Sequence, residues 1–316
     1  MRRYIVKLSN NEKVYLSSLT VDELRRLHFD EEVLLCKQAL ALPPFSLERN
    51  NLMNKIYEFS ISIKNEISRK QHGKEMKSMG ASKRSVNLLV RLIAKKLRNN
   101  TNIIVYEAGV GGGYALKELL ANFKKDINSK KLVLKGCDIV LQPAICSMMQ
   151  TCSTLDVTQG HILDCIKQLP DSSIDLFYAD NVVEHFFPDE ADIIFAEIER
   201  KLKPGAIVYL LIPNKYVGPC DVSAHYLPFG AKALGTHFME MSFNEVVNTL
   251  SKYNIYPSHF ICALPIPRIF LCIKSNALIS SKLTLEPYIA KIPIKFIRRF
   301  IFAIGSYRVS IMSKIA

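Results

Sequence analysis

The sequence predicts an α/β fold built on a doubly wound, mostly parallel sheet. Short, unbroken apolar runs such as residues 103–106 are typical of strands that are buried on both faces of a parallel sheet. These runs alternate with helical patterns as far as residue 212. Acidic residues follow several of the runs, and ligands of such sheets bind outside the carboxyl ends of the strands. The pattern therefore predicts a single ligand cleft at that edge.

The first predicted strand leads directly into a glycine-rich loop. The strand ends at Glu107, and glycines occupy positions 109, 111, 112 and 113. A helical pattern follows over residues 114–120. Glycine lets a ligand approach the backbone closely, and the helix amino end adds unpaired N–H groups. A turn that merely joins strand to helix is the alternative interpretation of this loop.

The spacing of the glycines separates two ligand classes. The dinucleotide pattern G-x-G-x-x-G fails at Tyr114, and no G-x-x-x-x-G-K-[ST] sequence is present. The loop instead has E-x-G-x-G-x-G, which resembles the first motif of class I S-adenosylmethionine-dependent methyltransferases. That resemblance extends over roughly residues 80–275. It implies a seven-stranded sheet of order 3-2-1-4-5-7-6 and S-adenosyl-L-methionine as cofactor, with Glu107 near the cofactor's amino group.

The resemblance also predicts a set of cofactor contacts. Asp138 ends the second predicted strand, where an acid binds the ribose hydroxyls in nucleoside-binding α/β folds. Asp164 stands where the same family has an acid near the adenine amino group. The predicted cofactor-binding residues are Glu107, Ala108, Gly109, Gly111, Gly113, Asp138, Ile139, Asp164, Cys165, Asp180 and Asn181.

Candidate catalytic residues lie after the fourth and fifth predicted strands. Glu184 and His185 occupy a place where small-molecule methyltransferases often have E-H, and residues 218–223 with 235–242 resemble loops of sugar-modifying relatives. Cys220 replaces a histidine of those relatives, so any role of that position is open. His185 and His237 are the candidate general bases, because imidazole titrates near neutral pH. A structural or substrate-orienting role is the alternative for both.

The absence of two motifs narrows the chemical class of the acceptor. Residues 180–183 lack the [DNS]-P-P-[YFW] sequence of enzymes that methylate exocyclic amino groups of bases, and Pro219-Cys220 follows the wrong strand for a cytosine-carbon enzyme. We therefore expect a small molecule or saccharide as acceptor, a cell-envelope or lipid-linked glycan included. An RNA-directed methyltransferase, an inactive scaffold of the same fold and, more remotely, a nicotinamide enzyme remain the alternatives.

Flanking segments complete the expected organisation. We expect a helical cap over 1–79 that starts with a small hairpin, a methyltransferase domain over 80–275, and a basic amphipathic helix within 276–316. Residues 70–82 are polar and predict a mobile segment. Charges interrupt every apolar window of the tail, so residues 291–316 predict contact with a membrane surface, or packing on the body, rather than a membrane span.

Composition indicates the class of protein, its partners and its cellular setting. Apolar residues make up 49% of the 316 residues, charged residues 22%, and the formal net charge is +13. The positive charge concentrates in the flanking segments, which leaves nucleic acid open as a partner but does not favour it. Eight cysteines without a C-x-x-C pair indicate a reduced, cytoplasmic setting, and the amino terminus lacks a secretory signal. The sequence indicates neither a metal site nor an oligomeric state.

Overall fold

The computed structural model describes residues 5–74, 81–99, 102–264 and 269–314. The predicted boundary between residues 79 and 80 lies outside these ranges, as do residues 75–80 of the segment expected to be mobile. Residues 70–72 of that segment belong to a helix. Among the described residues, no helix is both long enough and apolar enough to cross a membrane.

The amino-terminal segment, called the leader below, is described over residues 5–74 and folds into a hairpin and two long helices. Thr20 caps the first helix in a reciprocal capping box with Glu23. That helix runs unbroken from Val21 to Ala41, since no glycine or proline interrupts it. The elements are β1 (Ile5–Lys7), β2 (Lys13–Tyr15), α1 (Val21–Ala41) and α2 (Leu47–His72).

The central part of the chain alternates strands and helices. The elements are α3 (Lys83–Asn99), β3 (Ile103–Ala108), α4 (Tyr114–Asn122), α5 (Lys124–Asn128), β4 (Leu132–Asp138), α6 (Pro143–Thr151), β5 (Leu155–Gln159), α7 (Ile162–Lys167), β6 (Ile174–Asp180), α8 (Ala191–Lys201) and β7 (Leu202–Leu211). After these come α9 (Phe243–Ser251), β8 (Ile255–Leu264) and β9 (Ile269–Ile273). The tail forms α10 (Asn276–Ala290), α11 (Lys295–Ile304) and β10 (Val309–Lys314).

The main sheet confirms the predicted α/β class. Its strand order is β5-β4-β3-β6-β7-β10-β8-β9, and the first five strands are parallel. Apolar side chains pack on both faces of these strands, because helices cover each side. Four predicted strands, β3, β4, β6 and β7, therefore end at the same edge of the sheet.

With β3 to β8 counted as strands one to six and β10 as the seventh, the sheet has the predicted order 3-2-1-4-5-7-6, and β9 is added at its edge. The number of strands and the residues of the seventh strand differ from the prediction. The sheet has eight strands rather than seven, and the place beside β7 belongs to β10 rather than to a strand of the 255–274 hairpin. β10 pairs antiparallel with β7 and with β8. Residues 309–314, expected within a basic helix, contain one charged residue, Lys314, and three apolar ones. They form β10 instead, in which the apolar residues Val309, Ile311 and Met312 are buried.

The leader is anchored over the carboxyl edge of the sheet. Arg49 of α2 is buried and forms ion pairs with Asp189 and Glu190 at the start of α8. Glu32 of α1 accepts hydrogen bonds from the backbone N–H and the hydroxyl of Thr236. These contacts hold α1 and α2 as a roof above the strand ends.

Candidate functional site

A large cavity lies between the strand ends and the helical roof. Its volume is about 1650 Å³. The floor comes from the ends of β3, β4 and β6, and the roof from α1 and α2. Residues after β7 and in α11 close one side. The edge where the sequence predicts a ligand therefore lines a cavity beneath the helical roof.

The glycine loop adopts a conformation that requires glycine. Gly109, Gly111 and Gly113 all have positive φ angles of 52–74°. A Cβ atom on Gly109 would overlap the side chain of Val182, and one on Gly113 would overlap Ile145. Gly109 and Gly111 line the cavity, so the bare loop backbone is accessible to a ligand.

Asp138 joins the loop to the neighbouring strand. One carboxylate oxygen accepts from the N–H of Gly111 at 2.8 Å, and the other accepts from the N–H of Val140 at 3.1 Å. Burial raises the pKa of this carboxyl, and the backbone donors oppose the shift. Asp138 lines the cavity and keeps lone pairs that can accept from a ligand hydroxyl.

A second acid lies beneath the loop. Glu107 is only 4% exposed, and within the described part of the chain its Oε2 atom has no hydrogen-bond partner. Burial raises its pKa well above the ordinary value, and the charges of Asp180 and Asp138 add to the shift. Three carboxyl groups thus surround one glycine loop, an arrangement that favours a cationic ligand and disfavours a pyrophosphate.

The acid at the end of β6 is held by the protein itself. One oxygen of Asp180 accepts from the hydroxyl groups of Ser85 and Tyr178, and the other accepts from the amide of Asn181. Asn181 has a positive φ of 57° and accepts from Arg308 at 2.7 Å. Asp180 and Asn181 line the cavity, but these bonds suit Asp180 to positioning the segment that follows β6.

The predicted cofactor residues divide into two groups. Gly109, Gly111, Asp138, Ile139, Asp164, Asp180 and Asn181 line the cavity. The other predicted residues are buried behind that lining: Glu107, Ala108, Gly113 and Cys165. Glu107 and Ala108 are adjacent in β3, so their side chains point to opposite faces of the sheet, and both are buried. Cys165 is on the buried face of α7. Contact of these side chains with a cofactor stays a prediction.

The two candidate catalytic histidines meet although they lie 52 positions apart in the chain. Their ring centroids are 4.9 Å apart at an angle of 79°, and both residues line the cavity. Nδ1 of His185 lies 2.9 Å from the carbonyl oxygen of Thr236, and Nδ1 of His237 lies 2.7 Å from Oε1 of Glu240. Both partners are acceptors, so each Nδ1 carries a proton, and each Nε2 has a lone pair when its ring is neutral.

The charges around the histidines differ. Burial and, to a smaller extent, the neighbouring His237 lower the pKa of His185 to about 3, so His185 is neutral. Burial also lowers the pKa of His237, but the bond to Glu240 and the charge of Glu184 outweigh it and leave a raised value. Burial raises the pKa of Glu184 to about 8, against the opposing effect of His237.

The roof contributes residues that the sequence did not indicate. Tyr57 packs its ring against His185 at 5.6 Å, and Glu32 and Lys64 also line the cavity. These residues lie on long amphipathic helices, where polar positions resemble a solvated face. Only the tertiary contacts of Arg49 and Glu32 turn that face inward, so no local pattern reveals it.

Comparison with known proteins agrees with this geometry. A family described as "Methyltransferase domain" matches residues 106–210, which include β3 to β7 and the glycine loop. Residues 106–210 form a methyltransferase domain. The prediction of a class I methyltransferase and of S-adenosyl-L-methionine as its cofactor is confirmed at the level of this family.

Solved structures give weaker likenesses. A Burkholderia thailandensis 1,6-didemethyltoxoflavin-N1-methyltransferase is 12% identical, with a TM-score of 0.45 over 73% of this chain and 79% of that chain. A SAM-dependent methyltransferase from Archaeoglobus fulgidus is 16% identical, with a TM-score of 0.42 over 72% and 94% of the two chains. No curated protein matches the chain. Likenesses at this level do not decide the acceptor of the methyltransferase domain.

Proposed function

We propose that the protein transfers a methyl group from S-adenosyl-L-methionine to a small molecule or a saccharide. The observation that carries the proposal is the glycine loop with three surrounding acids, Glu107, Asp138 and Asp180. S-adenosylmethionine supplies a methyl group that its sulfonium charge already activates. Its ammonium and sulfonium groups are cationic, so the buried acids favour it over a phosphate-bearing dinucleotide.

Named residues of the chain would hold the cofactor. The bare backbone at Gly109 and Gly111 accommodates the amino-acid half, with the unpartnered oxygen of Glu107 behind it. Asp138 would accept from the ribose hydroxyls, and Asp164, an exposed residue in the first turn of α7, would lie at the adenine end. Because alignment of the reacting atoms supplies much of the rate in such a displacement, this rigid loop is well suited to the reaction.

The size of the cavity supports an acceptor of more than a few atoms. Sites for drug-sized ligands measure roughly 300–1,000 Å³, and this cavity measures about 1650 Å³. A cofactor therefore leaves room beside it. Amide and ammonium groups from α2 line that remainder: Asn50, Asn54, Lys64, Asn65 and Gln71. Such donors and acceptors suit the hydroxyl groups of a saccharide.

The two histidines stand at the acceptor side of the proposed site. His185 follows Val182, whose side chain packs on the glycine loop, and it faces Tyr57 of the roof. A neutral His185 with a free Nε2 lone pair has the protonation state of a general base. Its pKa of about 3 makes it a weak one, so orienting the acceptor is the role that the structure favours for it.

A lipid-linked acceptor gains support from the tail. The side chains of Phe296 and Phe300 on α11 are 76% and 55% exposed, and their rings stack at 6.3 Å. Lys291, Lys295 and Arg299 are exposed on the same segment, and Lys295 and Arg299 also lie over the ring of Phe229. We propose that this surface, residues 291–300, contacts an anionic membrane and places the cavity beside a membrane-bound acceptor.

A methyl-transfer assay tests the proposal. The full chain is incubated with methyl-labelled S-adenosylmethionine and, separately, with free saccharides, lipid-linked saccharides and RNA. We expect label in a saccharide fraction and loss of that label in the Asp138→Ala variant. Label in RNA that falls steeply with added salt would instead establish the RNA-directed alternative.

A further inference from the structure

A buried carboxylate near the proposed acceptor site is left without a partner. Glu184 is fully buried, and among the residues that the structure describes neither of its side-chain oxygens has a hydrogen-bond partner. An isolated buried carboxylate is costly, so such groups are normally paired or bound to a metal. Only its backbone is engaged locally, since its carbonyl oxygen accepts from Met239.

The two neighbouring imidazoles have the arrangement of metal ligands. A ligating histidine usually donates its second ring N–H to a carboxylate or a backbone carbonyl, which fixes the ring and leaves one lone pair for the metal. His237 donates to Glu240, and His185 donates to the carbonyl of Thr236. Both kinds of supporting acceptor are thus present, one for each ring.

The three side chains also converge. One ligand atom from each of Glu184, His185 and His237 lies within 4.8 Å of the other two. Ligand atoms bonded to one ion at about 2.1 Å are at most about 4.2 Å apart, so small side-chain adjustments bring all three onto one ion. We propose that Glu184, His185 and His237 bind a divalent first-row transition-metal ion.

The donor set decides the class of metal. Two imidazoles and one carboxylate suit zinc, iron, cobalt or nickel, whereas magnesium and calcium prefer oxygen ligands alone. Three protein ligands leave a coordination position open, which is typical of catalytic rather than structural zinc sites. Both histidines line the cavity, so the open position faces the space available to an acceptor.

A metal there would change the roles of the histidines. Their Nε2 lone pairs would be committed to the ion, and neither ring would serve as a general base. Binding to the ion would lower the pKa of an acceptor hydroxyl, so that the hydroxyl would release its proton to solvent at a lower pH than the free acceptor does. This functional consequence rests on the proposed methyl transfer, whereas metal binding itself does not.

The alternative is an ion pair without metal, in which a protonated His237 offsets the charge of Glu184. Their side chains form no ion pair within 4.0 Å in the described ranges. A cluster held together by an ion pair would not bind metal, and a chelator would not change it. The two accounts therefore differ in a measurement that involves neither cofactor nor acceptor.

Cobalt titration of the full chain provides that measurement. Protein stripped with a chelator is titrated with Co²⁺, and the visible d–d absorption of the bound ion is recorded. Zn²⁺ is then added in competition. The variants are Glu184→Gln, which keeps the shape of the side chain, and His237→Ala. His259→Ala is the control, because His259 lies on β8 and bonds Ser258 outside the cavity.

We expect one equivalent of Co²⁺ to bind, with displacement by Zn²⁺. Affinity should fall at least tenfold in Glu184→Gln and in His237→Ala and remain unchanged in His259→Ala. No saturable binding by the wild-type chain, or binding that Glu184→Gln leaves unchanged, would overturn the proposal. Circular dichroism checks that each variant is folded, and binding of S-adenosylhomocysteine by the same samples reports separately on the proposed function.

Discussion

The backbone N–H of Gly111 donates to a carboxylate oxygen of Asp138 across 2.8 Å, which fixes the glycine loop to the end of β4. The same carboxylate lines the cavity. Asp138 therefore has two roles: it holds the conformation of the loop, and it is available to bind a ligand. Substitutions at this position should separate them.

We expect Asp138→Ala to weaken binding of S-adenosylhomocysteine by roughly 10- to 100-fold, the value of one or two hydrogen bonds to a charged group. Asp138→Asn keeps an acceptor for Gly111 and should lose less. Calorimetric titration measures both. The control is Asp156→Asn, since Asp156 is an exposed acid on β5 paired only with Lys135. Equal losses in Asp156→Asn and Asp138→Ala would argue against a ribose contact.

Glu107 should show a conflict between stability and binding. Its raised pKa means that folding disfavours the ionised form, so this cost is absent at about pH 4.5 and grows as pH rises toward the folded-state value. Glu107→Gln should therefore raise the melting temperature of the ligand-free protein at neutral pH, and this gain should disappear near pH 4.5. Thermal unfolding at the two pH values measures the effect.

The same substitution should weaken cofactor binding. A cationic ligand stabilises ionised Glu107, so binding should release protons and strengthen as pH rises. In Glu107→Gln this pH dependence should flatten. Calorimetry in two buffers of different ionisation enthalpy counts the protons released. Stronger binding by Glu107→Gln at neutral pH would show that the acid does not face the cofactor's charge.

Gly109 and Gly73 form a matched pair. Their φ angles are 68° and 69°. Among the residues that the structure describes, a Cβ on Gly73 meets nothing within 4 Å, whereas one on Gly109 overlaps Val182. Gly73→Ala should cost only the left-handed backbone penalty, about 1–2 kcal/mol. Gly109→Ala should cost about 1–3 kcal/mol more through overpacking.

Denaturant unfolding compares the two variants. Adding Val182→Ala to Gly109→Ala should recover part of the extra loss, because it removes the overlapping methyl groups. Gly109→Ala should also abolish cofactor binding, while Gly73→Ala should not. Equal destabilisation of the two single variants would mean that Val182 does not pack on the loop as described.

The tail surface should bind anionic vesicles. Phe296→Ser combined with Phe300→Ser should reduce co-sedimentation with vesicles that contain phosphatidylserine, because both rings are exposed and would enter the lipid interface. Leu47→Ser is the control, since Leu47 is 70% exposed on α2, away from the tail. Binding that is equal for neutral vesicles, or unchanged in the double variant, would refute the membrane contact.

Sequence patterns predict the parts of this fold that are local. The buried run of β3 and the glycine loop after it depend on neighbours in the chain, and both are found as expected. The capping boxes at Thr20 and Ser242 are equally local, since each joins residues three positions apart. The strand at Val309–Lys314 depends on pairing with β7, a contact that no local pattern records.

The candidate site likewise combines residues that local sequence patterns predict with residues that only the tertiary fold brings together. Gly111 and Asp138 follow from strand ends and are found together in the cavity. Tyr57 and Glu32 reach the cavity only because α1 and α2 fold back over the sheet, and His185 meets His237 through a long loop after β7. The assignment of individual residues to cofactor contact or catalysis stays a prediction until variants are measured.

The central claim is that the acid-surrounded glycine loop binds S-adenosylmethionine. Its most direct test is calorimetric titration of the full chain with S-adenosylhomocysteine and, in parallel, with NAD. The account predicts one equivalent of S-adenosylhomocysteine bound with micromolar or tighter affinity, and no measurable binding of NAD. A folded protein that binds NAD, or that binds neither ligand, would contradict it.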